Sequence, residues 1–210
     1  ILIQKERKNS NLTKEIECDV PDDINLETEY EKQAEIRGHL IATEKPIPPI
    51  TNMKGITLFS RKKLVNIPEY FSDSTSSHFF TYLTGWLEVD FIDDLGEDVI
   101  GTNRQSLNWE HPDMVKLREY LQKILRWLEV DWRAKRAEIK QKKLEASTGL
   151  KIGEWREHIP KNINDNLDSI INALTKDAEL SDEKAASSLK GLQNIIKPYP
   201  YFHWQNLHPT

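Results

Sequence analysis

Residues 97–110 read EDVIGTNRQSLNWE, and within them Thr102, Asn103, Arg104, Gln105 and Asn108 make a polar cluster at the end of an apolar run. An arginine is permanently charged and forks onto phosphate oxygens, while glutamine and asparagine can hold a water or a further oxygen. Arg104, Gln105 and Asn108 therefore suit contact with the terminal phosphate of a nucleotide, in a loop position where side chains more often act than pack. Arg104 also has a simple structural use, pairing with the acidic turn of Asp93, Asp94, Glu97 and Asp98, and on composition alone that use wins. Those carboxylates could hold a divalent cation, although at the end of a strand they also read as a solvated turn.

Other chemistries are missing. The eight glycines never fall into G-x-G-x-x-G or G-x-x-x-x-G-K-[ST], so the chain carries no phosphate cradle of its own. There is no H-E-x-x-H and no G-x-S-x-G. The single cysteine, Cys18, excludes an internal disulfide and a multi-cysteine zinc site, fits a reducing cytoplasm and reads as inert. His203 and His208 are the one close histidine pair, with no acidic neighbour to complete a metal site. Two basic clusters are candidates for nucleic-acid phosphates. One is Arg61, Lys62 and Lys63; the other is the run RAKRAEIKQKK at 133–143, opening with Arg133, Lys135 and Arg136. Edge-strand protection explains the first equally well, and the solvated end of a helix explains the second. A net charge of −5 speaks against a generally basic nucleic-acid binder.

The elements that must position these residues follow from periodicity. Residues 15–35 carry nine acidic side chains against one lysine and read as exposed, with only their end strand-like. The alternation Ala34, Ile36, Gly38, Leu40 predicts a strand over 33–43, ended by the prolines of EKPIPPITN. GITLFSRKKLV (55–65) reads as two short strands joined by a basic turn at 61–63, and YLTGWLEVDFIDD (82–94) as the strongest strand signal. Between these two lies a Ser-rich stretch that reads as a loop. From Pro112 the period changes: Leu117, Leu121, Ile124, Leu125, Leu128 and Trp132 form the stripe of an amphipathic helix running to about Glu145, where ASTG supplies a stop. Further stripes are Ile163, Leu167, Ile170, Ile171 and Leu174, then Ala185, Leu189, Leu192 and Ile196 with Ser181 as N-cap. The organisation is a mixed α/β chain: an acidic lead-in at 1–32, an α/β segment at 33–110 and a helical half at 111–210. No segment reaches the roughly 18 uninterrupted apolar residues that a membrane-spanning helix needs. With neither an initiating methionine nor the apolar core of a signal peptide at its start, the chain is expected to be a piece of something longer.

The order of the segments carries a resemblance. GITLFSRKKLV, then IPEYF, then YLTGWLEVDFIDDLGEDVIGTNRQSLNWE and a long amphipathic helix is similar to the middle segment of the GHKL ATPases, the superfamily of heat-shock chaperones, gyrase, MutL and MORC proteins. In the chaperones a basic strand, I-P-x-Y-L, F-I-x-G-V-V-D and L-N-x-S-R-E-x-L-Q occur in that order. Bacterial MORC-like ATP-binding proteins have similar R-G-K-L, Y-L-x-G-x-x-x-D-F-L-D and D-R-Q-S-x-x-W stretches. The likeness spans roughly residues 33–132. It implies a ribosomal-protein-S5-like transducer domain following an ATP-binding domain of the same polypeptide, with ATP and Mg held there and none bound to this chain. By the match of N-R-Q to S-R-E, Arg104 would reach the γ-phosphate when the two domains dock. Asn108 falls where the chaperones have a second polar residue, a Gln; the shorter amide leaves Gln105 as its rival. The resemblance leaves open a homodimer partner and a DNA or protein client. The reading from a different class is a non-catalytic helical module that binds protein or nucleic acid.

Overall fold

The structure, a computed structural model, describes residues 13–49, 53–72, 77–102, 104–157, 159, 161–177 and 180–196. The chain is mixed α and β. Strands β1 (Lys14–Val20), β2 (Arg37–Thr43), β3 (Gly55–Ser60), β4 (Lys63–Leu64) and β5 (Leu83–Glu88) form one sheet in the order β1-β2-β5-β3-β4. The β3–β5 pair is parallel and the other three pairs are antiparallel. All six residues of β3 are buried, as are four of the six in β5, which is the near-continuous apolar composition of strands covered on both faces. Helices α1 (Pro112–Thr148), α2 (Ile152–Glu157), α3 (Lys161–Lys176) and α4 (Asp182–Ile196) follow. Two compact units, Ile1–Trp132 and Arg133–Thr210, divide within α1.

In the first unit, the α1 stripe from Leu117 to Trp132 packs with the sheet residues Leu40, Leu58, Leu83 and Leu87 in one apolar core. His111 starts the helix: its Nδ1 accepts the Asp113 N–H at 3.3 Å, and Pro112 fills the first helical position, where a missing N–H costs nothing.

Several local expectations change. The stretch 15–35, read as exposed, instead contributes its first residues to the paired strand β1, with Ile16, Cys18 and Val20 buried. The acidic residues between them explain the misreading, because Glu17 and Asp19 take the opposite face and hold His39 of β2. Its Nδ1 lies 2.6 Å from Asp19 and its Nε2 3.2 Å from Glu17. The strand at 82–94 stops at Glu88, and Asp90–Asp94 wind into a 3-10 turn that buries Phe91 and Ile92. The basic turn narrows to Arg61 and Lys62, since Lys63 belongs to β4. Before β2, Gln33–Glu35 form a 3-10 turn rather than strand. The centre of the Ser-rich loop, 73–76, and the tail with His203 and His208 lie outside the described residues.

The second unit has its own small core of Leu144, Ile152, Trp155, Leu167, Ile171, Ala185 and Leu189 among others. Helix α1 continues to Thr148 and ends at Gly149, whose φ of +68° suits a residue without a Cβ. The short α2, with Trp155 buried, had no periodic signal because six residues make fewer than two turns. Ile170 of the second stripe is 41% exposed, off the buried line of Leu167 and Ile171. Ser181 caps α4, its Oγ accepting the Lys184 N–H at 3.4 Å.

Lys140 is buried, and its Nζ donates to the carbonyls of Asp177 at 2.6 Å and Leu180 at 2.8 Å. Burial pulls this ammonium below the usual lysine range, against the pull of Asp177 and Asp182. One bond satisfies the Asp177 carbonyl just past the C-terminal end of α3, where a cation also meets the helix dipole, and the other satisfies the Leu180 carbonyl just before α4. Lys140→Met is expected to destabilise the second unit by about 2 kcal/mol, through two carbonyls left dry. Hydrogen exchange of the α3 amides should accelerate correspondingly; unchanged protection would show that these bonds are replaceable by water.

Candidate functional site

The polar cluster sits on a tight hairpin. Ile100 and Leu107 form a bridge, Gly101 N–H donates to the Ser106 carbonyl at 2.9 Å, and Arg104 N–H donates to the Gly101 carbonyl at 2.7 Å. The turn closes on Arg104 with φ of +52°, a left-handed conformation that favours glycine or asparagine and costs other residues about 1 kcal/mol or more. Asn103 lies outside the described residues. The loop is anchored from the side, where Ile67 N–H donates to the Gln105 carbonyl at 3.2 Å, and at its end, where Asn108 N–H donates to Val99 at 2.8 Å.

Arg104 lies on a cleft of about 430 Å³, together with Thr102 and the carboxyl-bearing residues Asp93, Glu97 and Asp98. Its Nη1 is out of water and has no hydrogen-bond partner among the described residues, while the residue as a whole is half-buried. The expected alternative of a structural ion pair with the 93–98 turn does not form. That turn is occupied by a different arginine. Asp90 accepts the Arg61 N–H at 2.5 Å, Asp94 pairs with the Arg61 guanidinium, and Asp93 accepts the Ser60 hydroxyl at 2.7 Å.

Gln105 and Asn108 are exposed and do not line the cleft. The Asn108 amide oxygen accepts the Glu110 N–H at 3.1 Å, so it shapes the entry to α1. Of the three residues read as a phosphate-contacting set, the structure brings Arg104 alone to the cleft.

The basic candidates separate by partner. Arg61 and Lys62 both have left-handed φ, 49° and 65°, which is the geometry of a two-residue hairpin whose twist matches its strands. Arg61 is held by the aspartates, whereas Lys62 and Lys63 are exposed. In the run at 133–143, Lys140 caps α3, Lys142 pairs with Glu138 at 2.6 Å and Lys143 with Asp182 at 3.4 Å. Arg133, Lys135 and Arg136 also have interaction partners.

Among the described residues, no group of three or more His, Cys, Asp or Glu is arranged to hold a metal ion. No helix among them is long and apolar enough to cross a membrane. A second cleft of about 350 Å³ went unread in the sequence. It runs between residues 28–32 and the start of α1, where Tyr30 stacks on Tyr120 at 5.0 Å. Burial raises the pKa of both phenols. Tyr120 falls in helical step with Leu117 and Ile124, but nothing in the sequence brings Tyr30 to it.

No protein-family model, curated protein or solved structure matches this chain.

Proposed function

We propose that this chain is the transducer part of a cytoplasmic GHKL-type ATPase. Arg104 meets the γ-phosphate of Mg-bound ATP held by an adjacent ATP-binding domain of the same polypeptide. A guanidinium brought beside developing phosphate charge makes hydrolysis depend on docking, which couples nucleotide state to shape. One observation carries the reading: an arginine occupies a turn position where glycine would be less strained, and its Nη1 has no hydrogen-bond partner among the described residues. Strain of this kind persists where surrounding structure over-determines it, and it collects at functional sites. The mixed sheet with α1 against it agrees in outline with a ribosomal-protein-S5-like domain, and the motifs in register across 33–132 support the assignment. The competing module reading has less to stand on in the 133–143 run, whose basic residues are engaged, and keeps Lys62 and Lys63.

The test is Arg104→Gly, because the functional and structural roles predict opposite signs. In this chain the substitution is expected to raise stability by about 1 kcal/mol, as left-handed strain is relieved against the greater freedom of glycine when unfolded. In the longer polypeptide it should leave ATP binding nearly intact and lower turnover by about a hundredfold or more. Unchanged turnover would sink the proposal, and a loss of stability would assign Arg104 a structural role.

A further inference from the structure

Among the described residues, four that are not glycine have a left-handed φ: Arg61, Lys62, Phe71 and Arg104. Three of them sit in tight hairpin turns, whose geometry asks for it. Phe71 is different. It lies in the connection between β4 and the 3-10 turn His78–Thr81, with φ of +57°, and is 2% exposed. A bulky side chain on such a backbone is an outlier that persists only where its surroundings hold it. The hold comes from two directions. The Phe71 carbonyl accepts the Arg118 Nε–H at 3.0 Å and a Gln122 side-chain N–H at 2.6 Å, from residues one turn apart on the same face of α1. Its ring meets Trp109 edge-on, with centroids 5.7 Å apart. Trp109 comes directly after the hairpin that carries Arg104, and that hairpin also reaches the chain ahead of Phe71, where Ile67 N–H donates to the Gln105 carbonyl at 3.2 Å. Phe71 thus stands between hairpin and helix, held by both.

We propose that Phe71 is the joint through which the Arg104 hairpin and α1 constrain each other. The inference rests on the reading of Arg104 as a phosphate contact and supplies the route by which that contact is felt at the helix. Displacing the hairpin moves the Trp109 ring and Ile67, which loosens the hold on Phe71. The strained backbone then relaxes to a right-handed or extended conformation, its carbonyl turns away, and Arg118 and Gln122 are released. The change is between two discrete arrangements, because the left-handed region is separated from the others by steric exclusion. An element with two arrangements, biased from both ends, is what coupling between separate sites requires. Strain makes it responsive, since the held conformation has no preference of its own to keep it in place.

The test is hydrogen exchange in the whole 210-residue chain, with Arg118→Met and Gln122→Leu made together. Both substitutions suit a helix and keep an apolar stem while removing the donor, and neither residue lines the Arg104 cleft. The hairpin amides of Gly101, Arg104 and Asn108 are expected to exchange at least about tenfold faster, while the β2–β5 ladder keeps its protection. Gln122→Leu alone, which leaves Arg118 in place, should give a smaller acceleration at the same amides. Arg126→Met, at an exposed position of the same helix, should give none. Hairpin exchange unchanged in the double variant overturns the joint, and so does an equal acceleration in the ladder. Should the double variant not fold, the same comparison on Gln122→Leu decides. If Arg104→Gly abolishes ATP turnover while hairpin exchange is indifferent to Arg118 and Gln122, only the joint fails. If turnover is unchanged, the ATP reading fails whatever the exchange shows.

Discussion

Trp132→Ala is expected to cost about 3–5 kcal/mol of stability, enough to unfold much of the first unit at moderate temperature. The indole is 1% exposed and lies between the Phe79 ring, at 5.2 Å, and the Tyr82 ring, at 5.1 Å. It is the last residue of the α1 stripe in that unit and meets the 3-10 turn His78–Thr81 that leads into β5. Truncation therefore removes a large apolar surface, leaves a cavity and unpins the segment that sets β5 in place. Partial collapse is limited, because the aromatic neighbours are themselves packed and the helix backbone is fixed by its own hydrogen bonds. Trp127→Ala is the comparison, since Trp127 is only partly buried against the same core and should cost about 1–2 kcal/mol. Urea denaturation of the two variants checks the ranking. Equal losses would mean that Trp132 does not hold the place described for it.

Gly38→Ala should be the most damaging small substitution in the sheet, at about 3 kcal/mol or more. A Cβ at Gly38 would stand 2.1 Å from the Trp86 carbonyl oxygen and 2.8 Å from the Leu87 Cα. Both obstacles are backbone atoms of β5, which no rotamer change can move aside. Gly38 is paired with Leu87 in the β2–β5 ladder, so relief requires the two strands to separate. Gly85 faces the same problem from the other side, with the His39 carbonyl oxygen 2.6 Å from its would-be Cβ. Gly191 provides the opposite outcome. It lies inside α4 with open space around it, so Gly191→Ala should stabilise the helix by about 1 kcal/mol. Thermal unfolding read by circular dichroism separates the cases, and a tolerated alanine at position 38 would refute the close β2–β5 approach.

Some of this was legible in the chain, and the pattern of success has a physical cause. The α1 stripe was readable because it repeats with the period of the element itself, and each of its six apolar positions is buried. The stop at Gly149 and the cap at Ser181 were readable for a similar reason, since capping chemistry is decided within a few residues. Strand β1 was hidden because alternation with acidic residues looks like a solvated segment until His39 supplies their partner from β2, 20 or more residues away. The early end of β5 was hidden too: VDFIDD continues a strand composition, but its aspartates turn aside to hold Ser60 and Arg61.

At the candidate site the division is the same. By itself the sequence determined the ingredients: a phosphate-suited arginine in a loop before a long helix, an acidic turn nearby, and no phosphate cradle to go with them. It could not decide which arginine the acidic turn would take, because Arg61 and Arg104 are equally available to it by type. Tertiary structure decided that. The β3–β4 hairpin delivers Arg61 to the aspartates, while the 100–107 hairpin fixes Arg104 in a left-handed turn with its Nη1 unpartnered among the described residues. Charge pairing at that range is settled by which backbones bring which side chains together, and those backbones are placed by strand pairing across long stretches of sequence.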